Sequence, residues 1–237
     1  MNRTQIAMMV SSGFEGGGFD NVAGNFDGMG VSAGALQQNY GSGTLQALLR
    51  AYIATYGAIK GFPVDITPSS SMDTADAIQF SFQMQQDQHL TPEWTAAWKA
   101  FLGTPECIAV QLTLASDIDR YAAGMCATWG IQSLQAYCFF FDVKVQNGGM
   151  RGLSPTPGNV TDYQAIMAAA SAQNSPLWLS ISPSDDEINL VKSAWARSRL
   201  ARPAYQADVF NRKATIIMQQ GWDHDKFFDF RQLQVSP

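Results

Sequence analysis

The chain has 237 residues, 46% hydrophobic and 15% charged, with six Trp, seven Tyr and fourteen Phe, which describes an ordered globule and excludes a disordered or fibrous chain. Twenty acidic against fifteen basic residues leave a net charge of −5, and no Lys/Arg cluster forms the basic face that nucleic acid requires. Three cysteines, Cys107, Cys126 and Cys138, stand at neither disulfide nor metal-ligand spacing and read as reduced core thiols.

In chain order, Ile6, Met8, Met9, Val10 and Phe14 recur at helical spacing until Gly16-Gly17-Gly18 stops the pattern, which sets Glu15 at the end of a short helix. This N-terminal stretch is too short and too interrupted for a signal-peptide core, so synthesis in the cytoplasm is expected, with delivery or release before action on a wall. Residues 20–34, rich in Gly, Asn and Asp and carrying the Asp27-Gly28 pair, predict a loop and a small β-hairpin. Leu45, Leu48, Leu49, Tyr52 and Ile53 form one face of a helix over 42–56, capped by Ser42 or Thr44. Further helices are expected near 74–88, 91–102, 106–127, 129–146, 161–173, 185–200 and 205–219, with Asp73, Thr91, Asp162 and Ser184 as N-caps. The segment 148–160, GGMRGLSPTPGNV, reads as a surface loop rather than a domain linker. The basic residues from Lys192 to Arg202 read as the solvated face of an amphipathic helix. His89 and His224 are isolated, and neither a metal nor a cofactor is expected.

One constellation carries chemistry. Cleaving a glycosidic bond needs a carboxylic acid to protonate the departing oxygen, and a carboxylate to activate water or stabilise the developing cation. A helix-end Glu followed by a glycine-rich hairpin bearing an Asp supplies such a pair, and Glu15 and Asp27 are so placed. Phe14 and Phe19 flank Glu15 and predict partial desolvation there. Gly28, Gly30 and Gly34 suit positive φ and close backbone approach to a polysaccharide. Ser32, Gln37 and Asn39 follow as uncharged groups for water or sugar hydroxyls. No serine-nucleophile or dinucleotide motif competes with this reading.

The run FEGGGFDNVAGNFDGMGVSAGALQQNYGSGTLQALL resembles the start of the lysozyme-like glycoside hydrolase superfamily, notably phage-type lysozymes and the family 46 chitosanases. The resemblance puts Glu15 on the general acid, Asp27 on the hairpin carboxylate, Ser32 on the hydroxyl residue beside the water and Gly34 on the closing glycine. Two further segments, AYCFFFDVKVQNGGM and DVFNRKATIIMQQG, resemble the chitosanase side; they imply substrate contacts from Asp142, Gln146 and Asn147 and a structural ion pair at Arg212. The interval from Glu15 to Asp27 lies between that of phage lysozymes and that of chitosanases, and Asp20 is a second candidate for the hairpin carboxylate.

The resulting expectation is a mainly α (α+β) chain, residues 1–237 forming one lysozyme-like catalytic domain with two lobes around a cleft and a small hairpin lining it. Its implied activity is hydrolysis of a β-1,4-linked amino-sugar polymer. Peptidoglycan is the first substrate expected, as for a muramidase or endolysin, with chitosan as the alternative. A non-catalytic wall-binding or virion protein on the same fold is the third reading. A monomer with a polysaccharide partner is expected, without nucleic acid or membrane insertion.

Overall fold

The computed structural model describes residues 1–153, 162–172 and 183–233. Helix α1 spans Arg3–Gly13 and is followed by strands β1 (Val22–Ala23), β2 (Ser32–Ala33) and β3 (Gln38–Asn39). Helices α2 (Thr44–Tyr56) and α3 (Thr74–Ser81) precede the short strands β4 (Gln85–Gln86) and β5 (His89–Leu90). Then come α4 (Pro92–Leu102), α5 (Pro105–Leu114), α6 (Ser116–Trp129), α7 (Leu134–Asn147), α8 (Tyr163–Ala172), α9 (Asp185–Ser198) and α10 (Gln206–Ile217), and the hairpin of β6 (Gln220–Asp223) and β7 (Lys226–Asp229) closes the described fold. No helix among the described residues is long and apolar enough to cross a membrane.

The chain divides into two compact units, one of residues 15–116 and one of residues 1–14 with 117–237. In the 15–116 unit, β1, β2 and β3 form an antiparallel sheet in that order, with Ala23 opposite Ser32 and Ser32 opposite Asn39. Beneath it lies a core of Val31, Tyr40, Leu45, Leu48, Leu49, Trp98 and Leu102. Phe62 sets its ring edge-on to Trp98 and Phe101, anchoring the loop after α2 to α4.

The other unit is built on α7, which is buried on all sides from Ala136 to Val143. A helix apolar all round needs neighbours on every face. α1 and α10 supply them, although α1 comes from the far end of the chain. The buried residues Ile6, Met8 and Val10 make that docking hydrophobic.

Several boundaries differ from expectation. The helix expected over 106–127 is two helices broken at Ala115, and the one over 74–88 ends at Ser81, giving way to a turn and the β4–β5 hairpin. The helix expected from 129 begins at Leu134, where the Ser133 hydroxyl caps it. The hairpin of 20–34 gains a third strand, and the β6–β7 hairpin was not anticipated. Neither Ser42 nor Thr44 caps α2; Gly43 occupies that position with φ 75°, while the Thr44 hydroxyl accepts from Asn39 N at 2.9 Å. Asp73, Thr91 and Ser184 cap as expected, and Asp162 Oδ1 accepts from Gln164 N at 3.1 Å before α8. Of the loop expected over 148–160, residues 154–160 lie outside the described residues. The basic stretch is not wholly solvated: Arg197 is 3% exposed and donates to the carbonyls of Gly149 and Asn147 at 3.0 Å each, closing the C-terminal end of α7 with positive charge. All three cysteines are buried and free.

Candidate active site

α1 ends at Gly13, and Glu15 stands just beyond its last turn, followed by Gly16-Gly17-Gly18, all at positive φ. The Phe14 ring turns onto Phe228 and Phe230, with centroids 4.5 and 5.5 Å away. Glu15 is exposed, so the expected desolvation by its aromatic neighbours is not what the fold builds. The Asn21 side-chain amide donates to the Glu15 carbonyl at 2.8 Å, which ties the acid's backbone to the residue that opens β1.

From Asn21 the chain enters the sheet that carries the remaining hairpin residues. Asn25 organises the connection between β1 and β2: its Oδ1 accepts from Gly30 N at 2.7 Å, while its own N–H donates to Gln85 Oε1 at 2.7 Å. Asp27 sits at the exposed tip, where Oδ1 accepts from Met29 N at 3.0 Å, a short Asx-type turn that leaves the rest of the carboxylate to solvent. Gly28, Gly30 and Gly34 all take positive φ, as expected. Asp20 is also exposed.

Ser32 lies on β2, the central strand of three, and is 5% exposed. The register nevertheless brings it opposite Asn39. The Asn39 side chain is engaged locally, its Oδ1 accepting from Ser42 N at 2.9 Å and its amide donating to the Gln37 carbonyl at 3.3 Å. Gln37, in a left-handed conformation with φ 49°, donates from its side chain to the Gly34 carbonyl at 3.0 Å. Both residues therefore shape the turn that follows β2.

A residue without a sequence signal holds this turn in place. Gln111 of α5 is 1% exposed; its Oε1 accepts from Ala35 N at 2.9 Å, and its Nε2 donates to the carbonyls of Phe19 and Leu102 at 3.2 and 3.4 Å. A Cβ on Gly34 would stand 2.5 Å from that Oε1, so the glycine is required by space as well as by its φ of 80°. The only hint in the sequence is a lone amide in the apolar run CIAVQLTL.

The three remaining candidates belong to the other unit. Asp142 is fully buried on α7, and its carboxylate is bound by Arg212, at 2.8 Å from Nη2, and by Lys213. Burial alone would raise its pKa, but the Lys213 and Arg212 charges outweigh it and hold the carboxyl well below the usual range. The expected substrate contact at Asp142 is therefore corrected to an internal ion-pair hub, and the ion pair expected at Arg212 is present. Gln146 accepts from Lys213 through Oε1. Asn147 gives its carbonyl to Arg197, and its side-chain oxygen is buried with no partner among the described residues.

No family model matches the chain, and no curated protein does. Solved structures do: a native chitosanase from Bacillus subtilis MY002 is similar at a TM-score of 0.51 and 16% identity, covering 92% of this chain and 86% of that one. A chitosanase complex is similar at a TM-score of 0.48 and 21% identity, covering 95% of each chain. The first likeness shows the fold, which is the mainly α, lysozyme-like fold of the chitosanases.

Proposed function

We propose that the chain is a glycoside hydrolase that cleaves β-1,4-linked amino-sugar polymers, with Glu15 as general acid, Asp27 as the second carboxylate and Ser32 beside the attacking water. The observation that carries this reading is the tether from Asn21 to the Glu15 carbonyl, which fixes an exposed helix-end glutamate to the root of the sheet presenting an exposed Asp27. Acid-assisted glycoside cleavage uses two carboxyl groups facing one substrate, and Glu15 and Asp27 are two exposed carboxylates in one short segment. Gln37 and Asn39, whose side chains hydrogen-bond within the turn beside Ser32, are proposed as substrate-binding residues. Gln146 and Asn147 are proposed as sugar contacts from the end of α7.

The first polymer proposed is the glycan strand of peptidoglycan, on the resemblance of the Glu15–Gly34 segment to phage-type lysozymes. A second reading, chitosan, is favoured by the net charge of −5, which attracts a cationic polymer and repels an anionic wall, and by the chitosanases that share the fold. New reducing ends released from purified peptidoglycan and from chitosan separate the two. Turnover on the first supports a muramidase and on the second a chitosanase. Binding without turnover on either polymer refutes the hydrolase and leaves a wall-binding protein on the same fold.

A further inference from the structure

In the unit of residues 1–14 and 117–237, the start of α10 meets the β6–β7 hairpin. The hairpin turns on His224 and Asp225, both left-handed at φ 48° and 59°, a conformation that non-glycine residues adopt uncommonly. That turn holds the His224 ring between two carboxylates: Nε2 lies 2.9 Å from Asp208 Oδ1, and Nδ1 lies 3.6 Å from Asp223 Oδ2. One ligand atom from each of Asp208, Asp223 and His224 falls within 4.8 Å of the others.

A carboxyl-rich surface would not by itself indicate an ion, but Asp223 is not at the surface. It is 4% exposed, and among the described residues its carboxylate accepts no hydrogen bond. Buried carboxylates are almost always hydrogen-bonded or ion-paired. The cations that act on Asp223 from further off, Arg212 and Lys213, are both bound to Asp142. His224 offers positive charge only when protonated, and Asp208 adds a second negative charge beside it.

We propose that Asp208, Asp223 and His224 bind a divalent transition-metal ion, zinc being the reference case, through one carboxylate oxygen from each aspartate and one imidazole nitrogen. Two oxygens and one nitrogen suit zinc, whose remaining position water fills, whereas calcium and magnesium prefer oxygen alone. Bound there, the ion would staple the hairpin to α10. The inference is independent of the proposed hydrolase, since its readout is metal binding.

The test is titration of zinc into the metal-free full chain by calorimetry, with Asp223→Asn and His224→Ala beside it. His224 is 76% exposed, so its truncation leaves the core intact, and thermal unfolding without metal verifies that both variants fold. The expected result is one zinc per chain, an affinity at least about tenfold weaker in each variant, and a zinc-dependent rise in Tm confined to the unmodified protein. Absence of binding at about 1 mM zinc, or the same affinity in both variants as in the unmodified protein, would overturn the site.

Discussion

At the scale of single residues, the proposed acid and the groups that position its neighbours have different signatures. Asp27→Asn keeps an oxygen for Met29 N and removes only the charge, so it should leave Tm nearly unchanged while lowering turnover, and Asp20→Asn should leave turnover intact. The reverse pattern would transfer the role to Asp20. Gln111→Leu strands the Ala35 N–H and the Phe19 carbonyl, and urea unfolding should report a loss of about 1–3 kcal/mol. Gly34→Ala should lose a similar amount, since its Cβ meets the Gln111 amide and its φ stays positive. The helix end before Glu15, the small sheet that carries Ser32 and the positive φ of Gly34 were legible because one short motif encodes them. Gln111 was not, because its partners are 76 residues or more away for Ala35 and 92 for Phe19, and no local pattern encodes such a contact. Asp142 misled for a related reason: an acid on an apolar helix reads equally as a cleft residue or an internal ion pair until Arg212 and Lys213 are placed beside it.

At the scale of elements, α7 depends on the ion pairs that join it to α10. Asp142→Asn leaves two buried cations without their counter-charge and should destabilise the fold by about 3–5 kcal/mol in denaturant titrations. Because the folded-state pKa of Asp142 is depressed, its contribution is fully present above the ordinary aspartate range and is lost as pH falls through the folded value. Stability measured against pH should therefore fall on acidification below about 4, and more shallowly in an Asp142→Asn variant. The starts of helices with hydroxyl or aspartate caps, such as α3, α4 and α9, were found from sequence to within a residue, since the cap is a local interaction. The break between α5 and α6 was missed because it falls at Ala115-Ser116, where neither Gly nor Pro marks it. Both unforeseen hairpins turn on non-glycine residues with positive φ, Asp87-Gln88 and His224-Asp225, in place of the usual Asn-Gly or Asp-Gly pair.

At the scale of the whole molecule, composition and periodicity were enough for a mainly α fold, while which residues make up each unit was not readable, because α1 joins helices that begin more than a hundred residues later. The buried thiols give a global check of integrity: burial pushes Cys107, Cys126 and Cys138 up to about 12, 11 and 12, so a disulfide reagent at neutral pH should react with none of them until the chain unfolds. The central claim is that Glu15 supplies the proton to the leaving group, and turnover of Glu15→Gln on the polymer that the unmodified protein cleaves measures it most directly. The account predicts unchanged Tm and a loss of about 10²-fold or more; retention of more than about a tenth of the activity would contradict it.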